Sequence, residues 1–347
     1  MPVRRSSVIL AVIGAALLCS ALLVRLVALP VLSRLPGNLN VALRYTGTAD
    51  VLNTRALQAA DTAHLFLKGV PSAIDRRLEA GSTSAHTAVV TDAMTLTVAG
   101  NTSSQHYTYA LDRTTLRTVP AGAGTAVEPS TGCLAIAFPL HPKADNSYTV
   151  YDSSTQRCFP VTYVGAARKG GRAAYEYTAS ITGGIKDPQL LRTLPPALPK
   201  QTVAALAPQP PGPVRAQLIG ALAALPDTVP LTYTARTTLD IYADRTTGLP
   251  LDETLHQQVL VGVAGQRAKL MPVLDVRAAF TPDTVTTTAD LARSASTKLS
   301  AIGVVIPAVL SVLGLLLLVL GVVRRRPPAS NPAPQERPAT LVESATP

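Results

Sequence analysis

The sequence predicts a β-rich (α+β) extracytoplasmic domain of antiparallel sheets, flanked by N- and C-terminal transmembrane helices. Two observations support this fold class. The only long, strongly apolar runs lie at the two ends of the chain, at residues 6–32 and 301–323. Between them, short runs rich in Thr, Val and Tyr are broken by Gly, Pro, Asp and Asn, a pattern typical of strands joined by turns.

The first apolar run predicts an N-terminal transmembrane anchor over residues 1–32. It is uncharged from Val8 to Val24, which is longer than the apolar core of about 7–15 residues in a secretory signal peptide. Arg25 interrupts the run, and we expect its side chain to snorkel toward the outer interface. A cleaved signal peptide is the alternative interpretation.

The second apolar run predicts a C-terminal transmembrane helix over residues 299–323. Residues 301–323 carry no charge and exceed the roughly 20 helical residues that span a bilayer core. Arginines flank both runs on their outer sides, which favours two passes through the cell membrane with both termini in the cytoplasm. Residues 324–347 hold six prolines after Arg326 and are expected to form a disordered cytoplasmic tail.

The segment between the helices, residues 33–298, is long enough for one large domain or two small ones. It carries 24 Lys and Arg residues against 19 Asp and Glu residues, a net charge of +5, with no dense basic patch. This charge distribution argues against a nucleic-acid partner. It leaves membrane lipids, an envelope glycolipid or an anionic wall polymer as the expected partners.

The cysteines indicate one disulfide bond. Cys133 and Cys158 are the only cysteines between the two apolar runs, and Cys19 lies within the first run. An even pair in an oxidising compartment predicts a Cys133–Cys158 bridge. The five histidines are scattered without ligand spacing, so we expect no metal site and no other cofactor.

One local pattern recurs three times in the central segment. A strand-like run ends in Asp-x-x-Thr at Asp112, Asp152 and Asp244, and Gly248 follows the third copy. An Asp side chain can accept hydrogen bonds from the backbone amides that follow it, and glycine permits a positive φ. We interpret these sites as turns between antiparallel strands.

Two kinds of segment are expected to lie outside the strands. Residues 195–213 hold seven prolines, which cannot join a central strand and therefore predict a long exposed loop. The basic doublets Arg76-Arg77 and Arg168-Lys169 are interpreted as solvated loops.

The sequence carries no strong catalytic signature. The G-x-S-x-G, S-x-x-K, H-E-x-x-H and P-loop patterns are all missing, so no catalytic residue is predicted and a non-enzymatic protein is favoured. Several tyrosines form a candidate ligand groove, although tyrosines are also ordinary residues of half-buried strands. They are Tyr148, Tyr151, Tyr163, Tyr175 and Tyr177.

A wider pattern resembles a known family. It comprises Phe138–Asp152, the turn Phe159–Gly165, Tyr175-Glu-Tyr177 and the later hairpin Thr238–Gly248. Together with the two terminal helices, these segments resemble actinobacterial envelope proteins of the porin PorA family. The resemblance implies a cell-envelope location and supplies no catalytic residues.

We therefore expect a membrane-anchored cell-envelope protein. Its expected function is to bind or scaffold a lipid, glycolipid or wall polymer at the outer face of the membrane. The alternatives are an envelope-modifying enzyme and a porin or transport component.

The topology can be tested with reporter fusions. Fusions in the C-terminal tail and near Pro210 should report opposite sides of the membrane, because the basic clusters hold both termini in the cytoplasm. Mature protein that lacks residues 1–30 would instead show a cleaved signal peptide.

Overall fold

The computed structural model describes residues 5–59, 61, 64–122, 124–206, 212–265 and 269–324. The chain forms two compact units, one of residues 1–30 with 300–347 and the other of residues 31–299. The tail expected to be disordered lies outside the described residues from position 325 onward, as do positions 207–211 of the proline-rich segment.

The helices occur at both ends of the chain and between strands. In chain order they are α1 Arg5–Leu23, α2 Leu29–Leu32, α3 Thr54–Gln58, α4 Pro188–Leu191, α5 Lys200–Leu206, α6 Gly212–Leu222, α7 Pro282–Ser300 and α8 Ile306–Val323. Short π-helical segments, Val24–Ala28 and Ala301–Val305, join α1 to α2 and α7 to α8. Two helical stretches, Val8–Leu32 and Pro282–Val323, are long and apolar enough to cross a membrane.

The first unit is an antiparallel pair of apolar helices that approach each other through small residues. A Cβ atom added to Gly14 would lie 2.6 Å from the carbonyl oxygen of Gly314, so only glycine permits this contact. Small residues allow the close backbone approach on which helix pairing in lipid depends. Arg25 donates a hydrogen bond of 3.1 Å to the carbonyl oxygen of Gly303, which gives its charge a partner within the pair.

The second unit contains eleven strands in its described residues. They are β1 Asn40–Leu52, β2 Phe66–Thr83, β3 Thr87–Val98, β4 Asn101–Asp112, β5 Thr149–Asp152, β6 Arg157–Lys169, β7 Arg172–Gly184, β8 Ala197–Pro199, β9 Thr228–Asp244, β10 Pro250–Val263 and β11 Lys269–Phe280. All pairings between them are antiparallel. The predicted fold class, a β-rich domain flanked by apolar helices, is confirmed.

The sheet curls into a half-barrel. Its strand order is β4-β3-β2-β1-β11-β10-β9-β7-β6-β5, and β8 pairs separately with β9. The outer strands β4 and β5 are linked by an irregular segment, since Thr118 bridges to β4 and Leu134 bridges to β5. We call the end where β1 begins and β11 finishes the junction end, and the opposite end the chamber end.

The alternation of side chains explains why these strands form. In β1, Leu43, Tyr45 and Ala49 are buried on the concave face, and the residues between them are more exposed. The same two-residue period continues on the neighbouring strands, which places one apolar face inside the curl. Position 47 faces inward and must be glycine, because an added Cβ would lie 1.8 Å from the carbonyl oxygen of Arg277 on β11.

The predicted disulfide bond is confirmed. Cys133 and Cys158 are bonded, with their Cα atoms 6.2 Å apart. Cys158 lies on β6. Leu134, which follows Cys133 in the sequence, forms the bridge to β5. The bond therefore fastens the irregular segment that links the two outer strands.

The Asp-x-x-Thr turns are confirmed. Asp112 accepts hydrogen bonds from the amides of residues 114 and 115, and Asp152 accepts one from the amide of residue 155. Asp244 does the same at the β9–β10 hairpin, where Gly248 adopts a φ of +70°.

The proline-rich segment combines short regular elements. Within residues 195–213, the short strand β8 pairs with the first residues of β9. Helix α5 comes before the undescribed residues 207–211, and α6 begins after them. Val203 and Leu206 of α5 are buried, so this segment packs on the sheet at the chamber end.

The close approach at Gly47 gives a direct test of the curl. The G47A variant should lower the melting temperature of the full chain by several degrees, because the methyl group overpacks the β1–β11 contact by about 1–3 kcal/mol. Circular dichroism of the detergent-solubilised protein measures this effect. The matched control is G81A on β2, where the nearest atom to an added Cβ is 3.8 Å away; equal losses in both variants would contradict the packing account.

Candidate functional site

A large chamber lies inside the curl at the chamber end of the sheet. Its volume is about 1120 Å³, and it lies among strands β1–β4 and β9–β11 and the segment around α4 and β8. Its wall is mostly aliphatic, and its buried residues include Val259, Val261 and Met271. Arg55 is the only charged residue among the described residues that line the chamber.

The chamber opens to solvent at the same end. Several lining residues are exposed, among them Arg55, Leu67, Asn101 and Thr193. The opening therefore lies at the opposite end of the sheet from the junction end.

A second, smaller cavity of about 160 Å³ continues toward the middle of the sheet. Ile74, Met94 and Gln257 line both spaces, so the two adjoin. The smaller cavity differs in its chemistry, because Arg76, Asp92 and Glu253 contribute charged or ionisable groups to its wall. The interior thus has polar residues at its opening, a mostly aliphatic chamber, and a cluster of charged groups in its depth.

Arg76 and Asp92 form an ion pair inside the curl. The Arg76 side chain donates to both carboxylate oxygens of Asp92, with Nη2 at 2.7 Å and Nε at 3.0 and 3.1 Å. Their side chains are 17% and 6% exposed, so the pair is shielded from water. Burial alone would lower the pKa of Arg76, but the Asp92 carboxylate outweighs this effect and holds the pKa above its usual value.

The interpretation of Arg76-Arg77 as a solvated loop is wrong. Both residues lie within β2, and Arg76 points to the concave face between Ile74 and Leu78. Arg77 points outward and pairs with Glu79 at 2.6 Å. The doublet obscured the alternation because its two side chains face opposite sides of the sheet. Arg168-Lys169 likewise ends strand β6, where Lys169 pairs with Asp252 at 2.7 Å.

Glu253 lies beside this ion pair. Its pKa is raised, chiefly because burial disfavours the carboxylate, although Arg76 and a hydrogen bond from Tyr45 oppose the shift. Burial also raises the pKa of Tyr45, and the nearby Glu253 adds to the effect. Protonation of Glu253 would therefore leave the cluster with one matched pair of opposite charges.

Two further carboxyl groups accept hydrogen bonds from tyrosine hydroxyls near the β4 and β5 edges of the sheet. Tyr107 donates to Asp187 at 2.7 Å, and Tyr151 donates to Glu128 at 3.0 Å. Burial raises the pKa of Glu128, opposed by the bond from Tyr151. Among the described residues, no three His, Cys, Asp or Glu side chains are placed to hold a metal ion.

The tyrosines of the candidate groove fall into two places. Tyr151 lines the smaller cavity and meets Tyr109 edge to face at 6.1 Å. The other four form one cluster with Tyr177 at its centre. Tyr177 is fully buried, and its ring stacks on that of Phe138 with the ring centroids 4.4 Å apart. The ring contacts of this cluster involve Tyr148, Tyr163, Tyr175 and Tyr177.

Sequence reasoning missed Arg76, Asp92 and Glu253, although a signal for the first two exists. Arg76 and Asp92 occupy inward positions of strands whose neighbouring inward positions are apolar, as in Ile74-x-Arg76-x-Leu78. An ionisable residue at such a position must find a partner inside the fold.

A comparison with protein families decides the relationship that the sequence suggested. The family model described as Porin PorA matches residues 6–323. The chain belongs to this family. The match includes both apolar helices and the whole half-barrel, and it supports an envelope protein of the porin type.

Other comparisons add little. No curated protein matches the chain. One similar solved structure is a conserved protein of unknown function with a hot dog fold from Alicyclobacillus acidocaldarius, at 15% identity over 71% of this chain and 80% of that one, with a TM-score of 0.12. Another is a putative MaoC domain protein dehydratase from Chloroflexus aurantiacus J-10-fl, at 11% identity over 76% and 80%, with a TM-score of 0.13. Similarity at these TM-scores carries no argument about fold or function.

The buried carboxyl at position 253 predicts a pH effect on stability. Because its pKa is raised in the folded state, its contribution is fully present below the pKa of the unfolded chain and is lost as the pH rises through the folded pKa. The E253Q variant should therefore melt at a higher temperature than the unmodified protein at pH 8, and the difference should vanish near pH 4. The control is E79Q, because the Glu79 side chain is half exposed on the outer face of β2; an equal pH effect in both variants would contradict this assignment.

Proposed function

We propose that this protein is a membrane-anchored envelope protein that binds one amphipathic lipid or glycolipid molecule inside its half-barrel. The apolar chamber is the observation that supports the proposal. Its 1120 Å³ exceeds the roughly 300–1,000 Å³ typical of small-molecule sites. Protein interiors are otherwise close-packed with few voids, so an apolar space of this size favours an apolar occupant.

The gradient of polarity along the interior supports an amphipathic ligand. The chamber wall is mostly aliphatic and carries one charged residue, Arg55, among the described residues, whereas several charged groups and tyrosine hydroxyls line the adjoining cavity. A molecule with an acyl chain and a polar group would satisfy both regions at once. A wall polymer, which lacks a long apolar part, would leave the chamber wall in contact with water.

Charged and polar residues on the outer face of the sheet support the proposal that this domain is surrounded by water. On this face Arg44 pairs with Asp75 at 3.3 Å, and Asp275 accepts from His256 at 2.9 Å and Gln258 at 2.6 Å. A barrel that crosses a membrane presents an apolar band to lipid, where charged groups are costly. We therefore assign membrane attachment to the two apolar helices, with both termini in the cytoplasm and residues 31–299 outside.

Binding can be tested by filling the chamber. Val261 is 4% exposed and lines the chamber, so V261F should reduce binding of a fluorescent acyl probe at least about fivefold by occupying the space of the chain. The probe is titrated into the delipidated full-length protein held in amphipol, and the melting temperature reports whether the variant folds.

The control is L260F on the same strand, because Leu260 is not among the chamber-lining residues. It should bind the probe as the unmodified protein does. Failure of the unmodified protein to bind any acyl probe would overturn the proposed function.

A further inference from the structure

Two polar side chains without a protein partner, Thr237 and Gln257, line the smaller cavity where it adjoins the chamber. Thr237 is 5% exposed, lines the smaller cavity, and its Oγ1 atom has no hydrogen bond. In the part of the chain that the structure describes, Ser72 is the only other residue with a buried, unpaired side-chain oxygen or nitrogen, and it lines neither cavity. A buried hydroxyl without a partner requires an explanation, such as an absent water or ligand.

Gln257 lies directly beside Thr237. The two residues are paired across β9 and β10, and both face the concave side. Gln257 lines the chamber and the smaller cavity together, so it lies at their boundary. Among the described residues, no side-chain hydrogen bond involves its amide. One hydroxyl and one amide, each free to donate and accept, therefore meet at the point where the apolar chamber becomes polar.

The charged groups around this point already have partners. Arg76 is the only cationic residue among the described residues that line the smaller cavity, and Asp92 occupies its Nε and Nη2 atoms with a two-pronged contact. An anionic group would meet Asp92 and Glu253 without a free cation to balance it. A cationic group would compete with Arg76 for Asp92, or with the amide and hydroxyl of Thr155 for Asp152, which lines the same cavity. An uncharged group that donates and accepts hydrogen bonds meets neither penalty.

We propose that Thr237 and Gln257 form the recognition site for an uncharged, hydroxyl-bearing polar group of an amphipathic ligand whose acyl chain lies in the chamber. This inference rests on the proposed lipid-binding function and names the chemistry of the bound molecule. The polar group lies deep in the domain, and the chain extends toward the opening near Arg55.

The test compares three ligands with the same acyl chain. Monopalmitoylglycerol has an uncharged head with two hydroxyls, palmitate is anionic, and methyl palmitate has no donor. Each displaces the fluorescent acyl probe from the delipidated full-length protein. Monopalmitoylglycerol should bind about tenfold more tightly than methyl palmitate, as expected for one or two neutral hydrogen bonds, and more tightly than palmitate.

The T237V variant keeps the shape of the side chain and removes its hydroxyl. It should weaken monopalmitoylglycerol about tenfold and leave methyl palmitate unchanged, and Q257L should act in the same direction. T238V is the matched control, because residue 238 is the next position on β9 and points to the opposite face.

The outcomes separate this inference from the proposed function. If the unmodified protein binds no acyl probe, the lipid-binding function fails, and this inference fails with it. If the probe binds but T237V changes neither ligand, water alone satisfies Thr237 and the inference is overturned. Tightest binding of palmitate, or an equal loss for both esters in T237V, would also overturn it and leave lipid binding in place.

Discussion

The rest of the structure depends on one geometric constraint: the sheet curls more widely than its inward-facing side chains can fill. Close approaches such as the one at Gly47 hold adjacent strands in the curl. Near the junction end, large residues such as Tyr45 and Phe280, whose rings meet at 4.7 Å, pack the interior. Toward the chamber end, inward residues such as Val259 and Val261 are small, and an unfilled space of about 1120 Å³ lies beside them. The candidate site is thus a consequence of where large and small residues fall along the same strands.

The buried ion pair gives this interior its polarity. A matched pair in a protein interior contributes little net stability, because desolvation offsets most of the attraction. Its retention inside an otherwise apolar curl therefore favours a role in specificity. Arg76 and Asp92 satisfy each other, and Glu253 with a raised pKa adds no free charge when protonated. What they leave available at the chamber boundary is uncharged hydrogen bonding by Thr237 and Gln257, which is the basis of the proposed ligand class.

The class of fold, the apolar helices, the disulfide and the Asp-x-x-Thr turns were predictable because each depends on local sequence. The two-residue period marks the strands, and only two cysteines lie between the helices. The chamber was not predictable, because its volume depends on strand order and curl, and β1 pairs with β11 across more than two hundred residues. The polar residues of the interior were partly predictable, because Arg76 interrupts the apolar face formed by Ile74 and Leu78. The absence of a partner for Thr237 could be found only from the three-dimensional arrangement.

Native mass spectrometry of the full chain, extracted from its own membranes without delipidation, tests the central claim most directly. The account predicts one tightly held amphipathic molecule per chain, released on unfolding and identified by its mass as an acyl lipid with an uncharged, hydroxyl-bearing head. A chain that retains no lipid under conditions that keep it folded would contradict the account. So would a mixture of membrane lipids in proportion to their abundance, because such a mixture reflects the surface of the apolar helices and not a site inside the half-barrel.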